Sequence, residues 1–229
     1  MQNLHSGPNM RELGPGPTLI VFSVATGLFL VIALAIALST PLAAVDANAE
    51  MWLHVRATTL VSNAMAAVSF LGAPTTLTIV AVAGSLLLLY RRRRSEAATL
   101  STVVLGGNFL NFCLKHLIQR GRPVFDDPIF SLPTYSFPSG HAMASTVFYG
   151  LLSIYALAHA RQRYAAYIAA AAAVFMVALV SFSRVYLGLH YLSDVMGGIA
   201  EGIAWLSFCV AALHYIRRGE SNTGVDADS

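Results

Sequence analysis

The sequence predicts an all-α protein: a bundle of six transmembrane helices, with an additional interfacial helix between spans 1 and 2. Three observations predict it. Of the 229 residues, 56% are hydrophobic and 11% charged, against about 25% charged in ordinary soluble domains. Six apolar runs each approach or exceed the ~20 residues a helix needs to cross a bilayer. Arginine clusters and Gly/Pro breaks separate several of the runs.

Residues 1–16 are polar, without periodicity, and read as a flexible tail. Leu19 to Leu38 is the first span. A cleaved signal peptide is the rival, since Ala47-Asn48-Ala49 resembles a cleavage site, but the run is longer than a signal core and its flank offers only Arg11 against Glu12. An uncleaved helix is favoured. Between residues 41 and 73, Trp52, Leu53, Val55, Leu60, Val61, Met65, Val68 and Phe70 recur at roughly helical spacing amid polar residues, the pattern of an amphipathic interfacial helix. Gly72-Ala73-Pro74 breaks it. Thr75 to Tyr90 is the second span, closed by Arg91 to Arg94, and Ala97 to Ile118 the third. His141 to Ala158, Tyr164 to Phe182 and Leu192 to Tyr215 complete the set. Residues 17–218 therefore read as a single membrane domain, and 219–229 as a disordered polar tail.

The net charge of +3 is spread over short clusters rather than a stripe, which argues against a nucleic-acid partner. Cys113 and Cys209 lie in apolar runs and suggest neither a disulfide framework nor a zinc site. With both termini cytoplasmic, Arg11, Arg91 to Arg94, Arg161, Arg163, Arg217 and Arg218 fall inside, and Arg56, Lys115, Arg120, Arg122 and Arg184 outside. That bias obeys the positive-inside rule. It also puts three polar corners on the same, outer face: after span 3, before span 4, and between spans 5 and 6.

Those corners hold the residues capable of chemistry, and ionisable groups are costly at membrane depth. Lys115, the only lysine, and Arg122 lie seven apart, two helical turns. Gly121 and Pro123 suggest that the helix ends there. For Arg120, anchoring at the headgroups suffices. In Phe137-Pro138-Ser139-Gly140-His141, Pro138 is placed to start a helix whose free N–H groups favour an anion, and Gly140 permits close approach. Taken alone, Ser139 as a simple cap and His141 as an interfacial histidine would suffice. His190 and Asp194 are four apart, so the carboxylate can hold the imidazole in one tautomer. Arg184, read as lying on the preceding connection, offers a planar fork to phosphate oxygens. Three cations, a helix start and two histidines form a coherent set for phosphoryl transfer.

Lys115-x6-Arg122-Pro123, Pro138-Ser139-Gly140-His141 and Ser183-Arg184-x5-His190-x3-Asp194 resemble, in type, order and spacing, the three-part motif of the type-2 phosphatidic acid phosphatase superfamily. That superfamily includes lipid phosphate phosphatases and vanadium haloperoxidases. The resemblance covers residues 115–194 and implies roles. His190 would be the nucleophile that becomes phosphohistidine, Asp194 its orienting carboxylate, and His141 the general acid for the leaving group. Lys115, Arg122, Arg184, Ser139 and the Gly140 amide would bind phosphate oxygens. It implies no metal and no other cofactor. The expected protein is a multi-pass phosphatase of the cytoplasmic membrane with its site at the outer face. Its partners would be the bilayer and a lipid phosphate or pyrophosphate: undecaprenyl pyrophosphate, phosphatidylglycerol phosphate, phosphatidic acid or a lipid A phosphate.

Rival readings are a lipid phosphotransferase with the same intermediate and a non-enzymatic anion transporter, although neither internal repeats nor broken half-helices are apparent. A serine protease using Ser139 lacks the G-x-S-x-G elbow, and the spans disfavour a haloperoxidase. Asn108 and Asn111 are expected to bond between helices, and Glu201, an acid inside span 6, to find a bundle partner. Asp126 and Asp127 read as solvated loop charges. His5, His54, His116, His159 and His214 match no motif position and are assigned no chemistry.

Overall fold

The computed structural model describes residues 15–38, 41–123, 134–160 and 162–223. Residues 1–14 and 224–229 of the predicted tails, Arg161 and the loop acids Asp126 and Asp127 lie outside these residues; residues 219–223, expected to be disordered, instead continue the last helix, which runs on to Thr223. Within them every regular element is helical: α1 (Pro15–Ala37), α2 (Leu42–His54), α3 (Thr59–Leu71), α4 (Pro74–Tyr90), α5 (Arg94–Ile118), α6 (Gly140–His159), α7 (Arg163–Tyr186) and α8 (Leu192–Thr223). Six segments are long and apolar enough to cross a membrane. This is an all-helical, multi-pass membrane protein.

The boundaries follow the local chemistry. Pro74 opens α4 at a position where its missing N–H costs no bond. The arginine cluster closes α4 through a turn with Arg92 at φ 60°. Large apolar side chains such as Ile20, Val24, Val31, Ile79, Val174 and Phe175 point outward. In a bilayer that is their favourable environment, since the hydrocarbon is as apolar as the side chains.

Helix α6 is central and packs on α4, α5, α7 and α8, while α1 lies along α8. Leu77, Val103, Val104, Met143, Val147, Phe148, Leu151 and Leu206 form the main core. Trp205 donates its indole N–H to Val103 O at 2.8 Å, fixing α8 on α5.

Two sequence expectations change. The segment 41–73 is two helices, α2 and α3, separated by residues 55–58. Helix α3 precedes α4 across Gly72 and Ala73 in a single apolar stretch, Thr59–Tyr90, long enough to cross a membrane. Helix α7 runs on through Ser183 and Arg184 to Tyr186, so Arg184 stands in a last helical turn rather than on a connection. Asn108 bonds Thr78 on α4 at 2.8 Å, and Asn111 bonds Glu201 on α8 at 2.8 Å. Both are the interhelical bonds expected of polar groups in a bundle.

Candidate active site

Three segments converge at one end of the bundle. The first leaves α5, where Gln119 takes a left-handed conformation (φ 52°) and its N–H bonds Lys115 O at 2.9 Å. The chain then turns across residues 134–136, with Ser136 N–H donating to Arg120 O at 2.8 Å. Lys115 Nζ donates to Tyr135 O at 2.8 Å and Ser136 O at 3.2 Å. Arg122 donates to Thr134 O at 2.7 Å, to Thr134 Oγ1 at 2.8 Å and to Leu189 O at 2.5 Å. The two cations thus stitch the end of α5 to the residues that precede α6.

The second segment enters α6 through a cis Phe137–Pro138 peptide. Ser139 is the N-cap residue by position, yet its side chain caps no backbone N–H. Its Oγ is buried and has no hydrogen-bond partner among the described residues. The simple-cap alternative therefore does not describe Ser139. Its backbone N–H donates to Asp194 O at 2.9 Å, tying this corner to α8. The fit is close: a Cβ at Gly198 would meet Ser139 O at 2.4 Å.

The third segment is the α7–α8 turn. Gly188 takes φ 67°, a backbone region that glycine enters without a Cβ penalty, and Leu189 N–H bonds back to Arg184 O at 3.1 Å. That reversal sets His190 just before α8, with Asp194 in its first turn. His190 and Asp194 are 2% and 0% exposed. His190 Nδ1 faces Asp194 Oδ2 at 3.5 Å, and its Nε2 lies 3.3 Å from Arg122 Nη1. A guanidinium only donates, so Nε2 is the acceptor and the ring proton sits on Nδ1, toward the carboxylate. Ser136 hydroxyl donates to Asp194 Oδ2 and lies 3.4 Å from His190 Nδ1. Tyr191 N–H reaches the same carboxylate oxygen at 2.9 Å.

Burial pushes His190 down to about 3, with Arg122 and Arg184 adding to the effect and Asp194 opposing it. Burial and the arginine charges both favour the neutral ring. Burial also lowers Arg122, against the pull of Asp194. His141, at the start of α6, lies in the electrostatic field of Arg184, His190, Arg122 and Lys115. Arg184 comes from α7 and donates to Ser69 Oγ on α3 at 2.7 Å, while its buried Nε has no partner among the described residues. Lys115, Arg122, Ser139, Gly140, His141, Arg184, His190 and Asp194 therefore occupy one region.

Arg120 departs from the sequence expectation. Rather than anchoring at headgroups, it pairs with Asp194 at 2.6 Å and with Asp46 at 2.8 Å. Burial works against its charge, but Asp194 and Asp46 outweigh that and hold it above its ordinary value. Asp46, Glu50, Ser136 and Ser193 carry no motif and were not singled out from sequence. The one available signal was a pair of acids four residues apart in a short amphipathic helix.

A family model described as the PAP2 superfamily matches residues 96–218. The chain belongs to the PAP2 superfamily. This PAP2 chain is 37% identical over 98 residues to phosphatidylglycerophosphatase B of Bacillus subtilis, covering 41% of this chain and 46% of that protein. It is 36% identical over 132 residues to a lipid A 1-phosphatase of Rhizobium etli, covering 54% of this chain and 51% of the relative. The matches thus span about half of those curated relatives. The crystal structure of a transmembrane PAP2-type phosphatidylglycerolphosphate phosphatase from Bacillus subtilis superposes with a TM-score of 0.71 at 27% identity, covering 85% of this chain and 96% of that one.

Proposed function

We propose that this PAP2 protein is a lipid phosphatase that hydrolyses a phosphomonoester or diphosphate of a membrane lipid through a phosphohistidine on His190. The observation that carries the reading is the orientation of His190. Its Nδ1 side is held by Asp194, and Nε2 is turned toward Arg122. The nitrogen left for chemistry faces the cations that would hold a phosphoryl group.

Lys115, Arg122 and Arg184 supply positive charge, and Ser139 Oγ and Arg184 Nε are buried donors, without partners among the described residues, that phosphate oxygens would satisfy. Attack by His190 Nε2 forms an N–P bond and breaks the P–O bond to the lipid. The departing oxygen takes a proton from His141. Water then attacks phosphorus, giving its proton to His141, and the N–P bond breaks to release inorganic phosphate and restore His190. Asp194 stabilises the positive charge the ring carries while phosphorylated. Catalysis here is positioning and charge stabilisation, and the proposed route uses no metal. The names of the relatives support glycerophospholipid phosphates and lipid A 1-phosphate as substrate classes. An undecaprenyl diphosphate belongs in the same test, because the site reads the phosphoryl group.

The test is phosphate release by detergent-solubilised protein from phosphatidic acid, phosphatidylglycerol phosphate, lipid A and undecaprenyl diphosphate, with EDTA present. Release that survives chelation and disappears in His190→Ala is the expected result. Loss on chelation overturns the metal-free route. No release from any lipid by folded protein overturns the phosphatase reading.

A further inference from the structure

We propose that Arg120 and Asp46 are positioning residues for this reaction: Asp46, carried on α2, fixes Arg120, and Arg120 fixes the Asp194 carboxylate that orients His190. The inference rests on the phosphatase reading above and adds two residues outside its motif. Asp46 also lies outside the residues 96–218 matched by the family model.

The bonds around Asp194 divide between its two oxygens. Oδ2 faces His190 Nδ1 at 3.5 Å and accepts from Ser136 hydroxyl and Tyr191 N–H. Oδ1 accepts from Arg120 Nη1 at 2.6 Å. Among the described residues Arg120 is the one guanidinium or ammonium group paired with Asp194. With one oxygen held by a cation and the other by neutral donors, the carboxylate plane is set, and with it the direction offered to the imidazole. A buried carboxylate that loses its cation keeps the cost of its desolvation, so it rotates or takes a proton. Either response loosens its grip on His190.

Arg120 is itself held on three sides. Nη2 donates to Asp46 Oδ2 at 2.8 Å, Nη1 donates also to Ser193 Oγ at 2.7 Å, and the guanidinium lies 4.2 Å from the centre of the Tyr191 ring. Asp46, 1% exposed, then closes the circuit onto α8. It accepts from Ser193 N–H at 3.0 Å and Ser193 Oγ–H at 2.5 Å. A free helix N-terminal N–H and a hydroxyl of α8 are thereby satisfied by a carboxylate of α2. The result is a continuous path, with charge-assisted bonds from Asp46 to Arg120 to Asp194 and then the 3.5 Å contact of Asp194 with His190, in which each member removes a freedom of the next. Helix α2 thus completes the back of the site.

A staple that merely holds α2 on α8 would cost stability and leave turnover by folded protein unchanged. A positioning pair acts on turnover. The measurement is kcat and KM of the full chain in detergent, on the best substrate of the lipid panel, for Arg120→Ala, Asp46→Ala, the double variant and Arg120→Lys, with thermal melts alongside. Each single alanine variant should lose roughly 10- to 100-fold in kcat, the scale of a small misplacement of catalytic groups, with KM unchanged. The double variant should be no worse than the worse single, because the two act as one unit. Arg120→Lys should recover part of the loss. If Asp46→Ala does not fold, Asp46→Asn keeps the shape and is read the same way. Wild-type kcat in a folded single variant, multiplying losses in the double, or a raised KM with unchanged kcat each overturn the proposal. An inactive wild type overturns the phosphatase reading and this role with it, whereas active wild type with fully active variants overturns this role alone.

Discussion

Glu50 shows how strongly a single side chain can feel the site from outside the motif. It is buried on α2, one turn from Asp46. Burial, then the charges of Asp194 and Asp46, push it up from 4.5 to about 8, against the opposing pull of Arg120. A carboxyl whose proton is held more tightly in the folded state stabilises the fold fully below its unfolded value. That contribution is lost as pH rises through about 8. The melting temperature of the wild type in detergent should therefore fall between about pH 5 and pH 9, and Glu50→Gln should flatten that fall. Parallel melting curves for the two proteins would remove Glu50 from the account. Ser139 and Arg184 make the complementary point. Their buried polar atoms have no partner among the described residues, and unsatisfied groups of that kind call for an explanation, here the proposed phosphate.

Among the elements, α8 does the most positioning. It supplies Asp194, receives α2 through Ser193 and α5 through Trp205, and lets the residues before α6 approach through adjacent glycines. A Cβ at Gly197 would come within 2.4 Å of Phe137, and one at Gly198 within 2.4 Å of Ser139 O. Because the second obstacle is backbone, Gly198→Ala has to push the Ser139 corner off α8. Overpacking of this kind costs about 1–3 kcal/mol. The same displacement moves the proposed phosphate donors, so both the thermal midpoint and phosphate release should fall. Unchanged melting and turnover in Gly198→Ala would mean that the contact relaxes freely.

At the scale of the whole molecule, the site and the arginine-rich turn between α4 and α5 lie at opposite ends of the bundle, because α5 runs from Arg94 at one end to Lys115 at the other. The positive-inside bias then predicts the site on the outer face of the membrane. In a chain with Cys113 and Cys209 replaced, a cysteine at Thr134 should react with a membrane-impermeant maleimide in intact cells, and one at Arg92 should not. The reverse labelling would invert the topology. Both positions are exposed, so burial does not confound the comparison.

Hydropathy alone determined the number of spans and most of their limits, because a bilayer requires each spanning segment to be a long apolar helix that satisfies its own backbone. Residue type, order and spacing singled out Lys115, Arg122, Ser139, His141, Arg184, His190 and Asp194, because such groups are costly beside apolar spans and together match a three-part motif; no common helix face was needed, since Arg122 lies past the end of α5 and His190 just before α8. Tertiary structure decided the rest. Arg120 read as a headgroup anchor because the sequence shows a charge at a helix end but not the carboxylates it meets, Asp46 and Asp194, each 74 residues away from it. The division of 41–73 into α2 and α3 was equally hidden. Two short helices and one long amphipathic helix share the same periodicity, and the burial of Asp46 follows from what α8 and Arg120 present to it. Periodicity reports which face of a helix is apolar; a buried ion pair depends on what another segment brings to it, and that is a property of the packed chain.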